Sequence, residues 1–203
     1  MSAPVPTTAI NVLELLAPSP RTAGSILWAP VGSALPTTSY ADLDGTAVTG
    51  FADLGYADEN GLKQRETRST TDVFVWGGDL AGTLQTQYDR TMTFRLMQFR
   101  NTEVLKASFG IGNVSVVAAT STHGKEIAVK LNPKLLDTRS WVFDGFYADS
   151  LVRIVIPIGR IVTVGEIDMT HKAYMTIECT LKAYPDSNKN HGYLYVNDGQ
   201  KTV

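Results

Sequence analysis

The strongest constraint on the fold of this chain is a strict alternation of apolar and polar side chains between residues 174 and 184. One side of this stretch is apolar and the other is polar, namely Met175, Ile177, Cys179, Leu181 and Ala183 against Thr176, Glu178, Thr180 and Lys182. Successive side chains of a strand point to opposite faces of a sheet, whereas a helix repeats every 3.6 residues. The pattern therefore predicts a β-strand with one face in a core and one polar face.

The same period recurs along the chain. Met92–Leu96 and Val152–Ile158 alternate in this way, and further strands are predicted at Ser25–Val31, Val114–Ala119, Glu126–Leu131, Trp141–Tyr147 and Gly192–Val196. Short strands separated by turn signals such as Asn60-Gly61 are typical of antiparallel sandwiches and barrels. One short helix is predicted after Asn101, which can cap it, with Gly110 at its end. We therefore expect a mainly β fold, an antiparallel β-sandwich or barrel with one short α-helix.

Three segments of the chain lack a core pattern. Prolines at four positions disfavour a helix or a central strand in residues 1–24, which we interpret as an N-terminal arm. A polar segment at about 33–70 is long enough to indicate a functional loop, and we expect it to form a protruding hairpin. The predicted organisation is thus an arm at 1–24, a β domain at 25–184 with its protruding loop, and an extended C-terminal arm at 185–203.

Motifs for catalysis or ligand binding are missing from the sequence. The three histidines lack the spacing of a metal site, and the single cysteine, Cys179, lies on a predicted core face. The glycine-rich stretches Gly77–Gly82 and Phe109–Asn113 lack the Gly-Lys-Ser/Thr of a phosphate-binding loop. We therefore expect no enzyme activity, no metal and no cofactor. Because no run of eighteen apolar residues occurs, we also expect no membrane-spanning helix and no membrane partner.

Three consecutive stretches resemble the major tail protein, or tail tube protein, of long-tailed, non-contractile bacteriophages. They are Leu54–Leu62 with an acidic glycine turn, Thr71–Asp79 with its Trp-Gly-Gly, and Gln85–Leu96, and the helical sequence Asn101–Phe109 follows them. The resemblance covers about Ser25 to Phe109 by motif and the remainder by strand pattern only. It implies a virion structural subunit, six copies of which form a ring, with rings stacked into a hollow tube that conducts DNA from the capsid to the host.

The resemblance also implies roles for particular residues. The hairpin Leu54–Leu62 matches the loop that reaches the adjacent ring, so the expected ring-stacking residues are Tyr56, Asp58, Glu59 and Asn60. Trp76, Gly77 and Gly78 would form a structural corner; for Trp76 we favour a core position over a role in positioning lumen strands. Two polar sets are candidates for the lumen, with the outer surface as the alternative for both, namely Gln85, Gln87 and Thr93, and Thr176, Glu178 and Thr180.

The partners implied by the resemblance are further copies of the chain, a tape-measure protein, a tail terminator and tail-tip or baseplate proteins. The subunit would assemble in the host cytoplasm and reside in the virion tail. DNA would pass through the lumen without specific binding, which a formal net charge of -2 favours because few cations are left to hold phosphates.

Two alternatives stay open on the sequence. The first is a ring-forming tail terminator or secretion-tube-like protein, which would lack an ordered protruding hairpin. The second is a monomeric carbohydrate-binding or adhesin-like virion β-domain, which needs a cluster of exposed aromatic side chains. Its only support is the group Tyr184, Tyr193 and Tyr195 near the carboxyl end.

Overall fold

The computed structural model describes residues 15–20, 25–39 and 48–199, which form antiparallel β-structure with a single α-helix. The strands are β1 (Ser19–Pro20), β2 (Ile26–Pro30), β3 (Ala52–Asp53), β4 (Lys63–Phe74), β5 (Leu80–Leu96), β6 (Val114–Val117), β7 (Glu126–Val129), β8 (Arg139–Tyr147), β9 (Ser150–Val164), β10 (Ile177–Tyr184) and β11 (Tyr193–Asn197). Helix α1 is Thr102–Phe109, capped by the Asn101 side chain, and a 3₁₀ turn follows at Ile111–Asn113. The prediction of a mainly β fold with one short helix is confirmed.

One large sheet carries most of these strands. Its order is β3-β2-β8-β9-β10-β5-β4, with β1 paired to β8 and β11 paired to β9, while β6 and β7 form a separate hairpin. The long strand β9 pairs with β8 along one edge and with β10 and β11 along the other. The described strands form sandwich-like sheets that do not close into a barrel, so of the two predicted architectures the sandwich is the correct one.

An aromatic cluster joins the two halves of this sheet. The ring of Phe94 on β5 lies 6.0 Å from that of Trp141 and 5.5 Å from that of Phe143, both on β8. Trp141 in turn lies 5.7 Å from Trp28 on β2. All four side chains are buried in one core, to which α1 adds Val104, Leu105 and Ala107. Aromatic pairs at such separations contribute about 0.5–1.5 kcal/mol each beyond their buried area.

The other face of strands β2, β8 and β9 is buried as well. Leu27, Val142 and Val155 form a second cluster that Val48 and Phe51 cover. This two-sided burial explains why β2 is apolar at four consecutive positions instead of alternating.

A buried ion pair lies on this second face. The Nε atom of Arg153 lies 2.7 Å from Oδ1 of Asp144, and its Nη2 donates to Oδ2 at 2.8 Å. Nη1 of the same guanidinium donates to the carbonyl of Thr38 at 3.1 Å. Arg153 therefore links β8 to β9 and fixes the covering segment over the sheet.

The projecting element is the β4–β5 hairpin, which includes only the end, residues 63–70, of the protruding loop predicted at about 33–70; residues 40–47 of that loop lie outside the described residues. Every residue of β4 is exposed, and β5 is exposed from its start up to Gln87. Within the predicted loop, by contrast, Val48, Phe51 and Leu54 are buried. A segment whose apolar side chains fill the core cannot project from it, so the hairpin begins near Lys63.

Both predicted terminal arms contain a strand that is paired in the sheet. Residues 1–14 and 21–24 of the N-terminal arm lie outside the described residues, whereas β1 within it pairs with β8. The predicted C-terminal arm contains β11, which pairs with β9 from Tyr193↔Val155 to Asn197↔Leu151. The arm prediction is therefore wrong for residues 193–197, because backbone hydrogen bonds hold them in the sheet. Among the described residues, no helix is both long and apolar enough to cross a membrane.

Replacing Arg153 by Met should destabilise the folded monomer by about 3–5 kcal/mol, because it removes the two charge-assisted hydrogen bonds that Arg153 donates to the buried Asp144 carboxylate. Guanidinium unfolding at low protein concentration measures this loss. Arg95→Met is the matched control: Arg95 Nε also lies 2.7 Å from a carboxylate, that of Glu178, but the two side chains are 46% and 40% exposed. Its loss should stay below about 1 kcal/mol, and equal losses for both variants would contradict the role assigned to burial.

Candidate assembly surfaces

The β4–β5 hairpin extends well beyond the body of the protein. Its strands pair from Lys63↔Thr93 to Phe74↔Leu80. With a rise of about 3.3 Å per residue, the part of β5 beyond Tyr88 projects roughly 25–30 Å. A two-stranded ribbon with no sheet behind it is marginally stable in water. The distal hairpin is therefore the element of this chain that has most to gain from contact with another molecule.

Side-chain contacts hold the base of this hairpin. Glu66 of β4 accepts hydrogen bonds from Arg90 Nη1 at 3.0 Å and Arg68 Nη2 at 3.3 Å. The Arg68 guanidinium lies 5.3 Å from the centre of the Tyr88 ring, which meets the edge of His191 at 4.7 Å. These contacts link both strands to the segment before β11, so the base of the hairpin is tied to the body.

The tip of the hairpin is a tight turn that displays a tryptophan. Val75 N donates to the Asp79 carbonyl at 2.9 Å, and Gly78 N donates back to the Val75 carbonyl at 3.0 Å. Gly77 and Gly78 have φ angles of 119° and 91°, which residues with a side chain rarely adopt. The Trp76 side chain is fully exposed, so the expected core position is wrong. Tryptophan is usually buried, but here it lies in the turn at the tip of the hairpin, where no core is near it.

A second candidate surface is the polar face of β10 and β5. Thr93 and Thr180 lie opposite each other with their Oγ1 atoms 3.5 Å apart. Beside them Arg95 Nε donates to Glu178 at 2.7 Å. Thr176 lines a pocket together with these two residues. The structure thus brings Thr93 together with the whole second candidate set on one face, opposite the core.

A β-bulge separates the remaining two lumen candidates. Ser69 pairs with Gln87, but the adjacent Thr70 pairs with Gln85, so Thr86 is the extra residue. Neighbouring residues of β4 point to opposite faces, and their partners on β5 must do the same. Gln87 therefore lies on the face of Thr93, whereas Gln85 lies on the opposite face, contrary to the expectation that placed them together.

Charges on this polar face are held in pairs. Asp89 accepts hydrogen bonds from Lys182 and from Gln87, each at 2.6 Å, and these bonds hold the pKa of its carboxyl below the usual range. The hydrogen bond to Glu178 and its negative charge raise the pKa of the Arg95 guanidinium, so the charged form is favoured there as well. Each of these two cations has an adjacent carboxylate that competes with phosphate. The exceptions on this face are Lys63 and Arg65 of β4, which lie opposite Thr93 and Thr91.

The segment Leu54–Leu62 lies against the edge of β5. Asp58 N donates to the Arg95 carbonyl at 3.0 Å, and the Asp58 carboxylate accepts from Asn60 N at 2.8 Å, which lowers the pKa of Asp58. Tyr56, Glu59 and Asn60 are exposed. The four expected ring-stacking residues therefore form a fixed turn on the surface, and their role in stacking stays a prediction.

The carboxyl-terminal tyrosines do not form an exposed aromatic platform. Tyr193 and Tyr195 stack at 6.3 Å and pack against the second core cluster, and Tyr184 is also partly buried. The Tyr193 hydroxyl donates to Asp186 at 2.6 Å, which lowers the pKa of that carboxyl. The carbohydrate-binding alternative thus loses the observation that supported it.

Chemically reactive arrangements are scarce in this structure. Across residues 15–20, 25–39 and 48–199, no three His, Cys, Asp or Glu side chains come close enough to hold a metal ion. Burial raises the pKa of the Cys179 thiol to about 12, so it is not a thiolate at neutral pH.

An open antiparallel sheet, a long exposed hairpin and a polar face with paired charges define a class of protein whose surfaces, rather than a pocket, carry its function. The chain belongs to the phage tail tube protein family, because the family profile described as "Phage tail tube protein" matches residues 14–202. Membership makes it a structural protein of the virion tail.

Two solved structures are similar in outline. One is a chain of the sheath–tube complex of an extracellular contractile injection system in its extended state, with 9% identity, 85% of this chain and 89% of that chain covered, and a TM-score of 0.42. The other belongs to the virion of a native gene transfer agent particle, with 10% identity, 72% and 88% coverage, and a TM-score of 0.39. No curated protein matches the sequence. At these TM-scores the assignment rests on the family profile alone.

Thiol reagents should leave Cys179 unmodified in the folded protein at pH 8, because its side chain is fully buried and its pKa is raised to about 12. Mass spectrometry after treatment with iodoacetamide measures the modified fraction. The same protein in 6 M guanidinium is the control and should react completely. Rapid labelling of the native protein would show that the strands around β10 open readily.

Proposed function

We propose that this tail tube protein is a non-enzymatic subunit that forms hexameric rings, and that the rings stack into a hollow tube conducting DNA from the capsid to the host. The observation that carries the proposal is the exposed β4–β5 hairpin. Its distal part buries no side chain in its own subunit. Ordering such a segment costs conformational entropy that contacts in an assembly offset.

The free edge of β4 supports assembly through strand pairing. β4 is the last strand on its side of the sheet, and its twelve residues present an unpaired backbone edge among the described elements. Long free edges template further pairing unless something covers them. We propose that neighbouring subunits in a ring cover this edge, which joins their sheets around the tube.

The polar face of β5 and β10 suits a channel for DNA. Thr93, Thr180 and Gln87 offer uncharged polar groups, and Thr176 and Glu178 continue the same face. The cations of these two strands on this face, Arg95 and Lys182, are paired with Glu178 and Asp89, which weakens their hold on a passing phosphate. We therefore propose this face as the lumen wall. Gln85, on the opposite face, is no longer a lumen candidate.

Stacking between rings is proposed for the exposed turn of Tyr56, Asp58, Glu59 and Asn60 together with the hairpin. An ordered projecting hairpin favours a stacking subunit over a terminator that forms rings only. The proposed partners are the tape-measure protein, the tail terminator and the tail-tip or baseplate proteins, and assembly takes place in the host cytoplasm.

Removing residues 69–87 and joining Arg68 to Tyr88 through Asn-Gly should abolish tubes and leave the monomer folded. Arg68 and Tyr88 are paired directly, and Asn-Gly suits a two-residue hairpin turn. Negative-stain electron microscopy over a concentration series detects rings and tubes, and guanidinium unfolding checks the core.

The control for this deletion is Tyr174→Ser, which removes an exposed aromatic side chain elsewhere and should assemble normally. Tubes formed by the shortened protein would contradict the role of the hairpin. Monomers of the unmodified protein at every concentration would contradict the tube itself.

Thr93→Arg combined with Thr180→Arg should make assembled tubes retain DNA, because both new cations would face the lumen. Each added phosphate contact should steepen the slope of log affinity against log salt by about 0.9. Fluorescence anisotropy of a short labelled duplex measures binding. Ser187→Arg with Asn188→Arg, in the exposed turn between β10 and β11, is the matched control. Tubes of the lumen variant that hold no more DNA than the control would contradict the assignment of this face.

A further inference from the structure

The distal hairpin combines exposed apolar side chains with a single sign of charge. Between Thr70 and Gln87 there is no Lys or Arg, and the two charged residues are Asp72 and Asp79. The large apolar side chains exposed there are Val73, Phe74, Val75, Trp76, Leu80 and Leu84. Contiguous apolar surface of this kind marks an interaction site. We call residues 70–87 the acidic tip.

A surface of the opposite charge lies at residues 114–136, which we call the basic patch. It carries Lys125, Lys130 and Lys134 against the single acid Glu126. Exposed apolar side chains accompany them, namely Val116, Val117, Leu131 and Leu135. A cavity of about 220 Å³ opens here between the lysines and α1, lined by Phe109, Leu131, Leu136, Val164, Lys130 and Lys134. The patch thus offers an apolar recess with a basic rim.

The acidic tip of one copy cannot reach the basic patch of the same copy. Val164 beside the cavity is paired with Cys179, and Cys179 is paired with Phe94. From Phe94 to Leu80, where the tip begins, β5 runs roughly 45 Å away from that level. Contact between tip and patch therefore requires a second copy, and because the two surfaces differ, it repeats from copy to copy.

We propose that the acidic tip docks on the basic patch of a neighbouring copy, with Trp76 as the anchor in the cavity beside Lys130 and Lys134. The proposal rests on the tube function above and names the partner surface of the hairpin. Buried tryptophans are frequent energetic centres of interfaces, and opposite charges around them direct the encounter. The two backbone hydrogen bonds of the turn, from Val75 N to the Asp79 carbonyl and from Gly78 N to the Val75 carbonyl, restrain the tip and lower the entropy lost on docking.

A larger groove elsewhere is less suitable for the same tip. It has a volume of about 480 Å³ and lies between β1, the end of β8 and the turn Ala57–Leu62. Its rim includes Asp58 and Glu59, which would repel Asp72 and Asp79. Like charges brought together disfavour a contact, so the basic patch is the better acceptor.

Disulfide trapping tests the contact directly. Val75→Cys and Leu135→Cys place one exposed thiol on the tip and one on the patch, and the native Cys179 is buried and unreactive. Mild oxidation of assembled protein should give a ladder of linked multimers on non-reducing gels. Val75→Cys with Tyr174→Cys, an exposed position outside the patch, is the matched control and should give no species beyond dimers.

Charge reversal supplies an independent measurement. Asp79→Lys or Lys134→Glu alone should raise the critical concentration for assembly about tenfold, and the two together should restore it to within about threefold. Trp76→Ala should raise it about thirtyfold. Lys172→Glu, an exposed lysine outside the patch, is the control for charge alone and should leave the critical concentration unchanged.

Each outcome of these experiments decides the proposal. A ladder in tubes or in isolated rings, with restoration in the double reversal, supports it. Tubes that form without a ladder would overturn the docking site and leave the tube function intact. Failure of the unmodified protein to assemble at any concentration would overturn both.

Discussion

Contact between Phe94 and the pair Trp141 and Phe143 is the interaction on which the rest of this structure depends. It brings β5 against β8 across the core, although two strands, β9 and β10, lie between them in the sheet order. Once these strands face each other, one face of β5 and β10 is sealed under α1 and the opposite face is left to solvent. The curled sheet therefore has an apolar inside, and its outside is polar along β5 and β10 but apolar and covered by Val48 and Phe51 along β2, β8 and β9. What distinguishes this chain is that β4 and β5 run on past the region where the core ends.

Much of the fold could be predicted from side-chain alternation, because strands with one buried face show it directly. The end of β10 at Tyr184 and the apolar faces of β5, β9 and β10 followed from that signal, whereas β10 begins at Ile177, three residues later than the alternation indicated. The position of the projection did not, since Val48, Phe51 and Leu54 are isolated apolar residues in polar sequence and their burial depends on distant strands. A better signal was present from Lys63 to Asp72, where ten residues contain no apolar side chain. A strand that is polar on both faces cannot cover a core, so this stretch indicated a strand that projects into solvent.

Residue type alone misplaced Trp76 for a related reason. Tryptophan is usually buried, and a sequence gives no distance between a side chain and the nearest core. The bulge at Thr86 was equally invisible, because pairing register depends on the partner strand. Local charges were also underdetermined: net charge indicated weak phosphate binding, but the pairs Lys182–Asp89 and Arg95–Glu178 needed the sheet register to be found. Long-range pairing is thus the information that the linear pattern lacked.

The bulge at Thr86 limits how this hairpin can change in length. On the core side of it, odd-numbered residues of β5 share the polar face, and between it and a second register shift at Val73/Phe74 the parity is reversed. Away from the bulge, deleting or adding one residue on a single strand would shift the distal side chains of that strand to the opposite face and exchange the surfaces that it offers to a neighbour. Point substitutions at exposed positions leave that geometry intact. Variation among related hairpins should therefore proceed by substitution or by paired insertions on both strands, with single-residue length changes selected against.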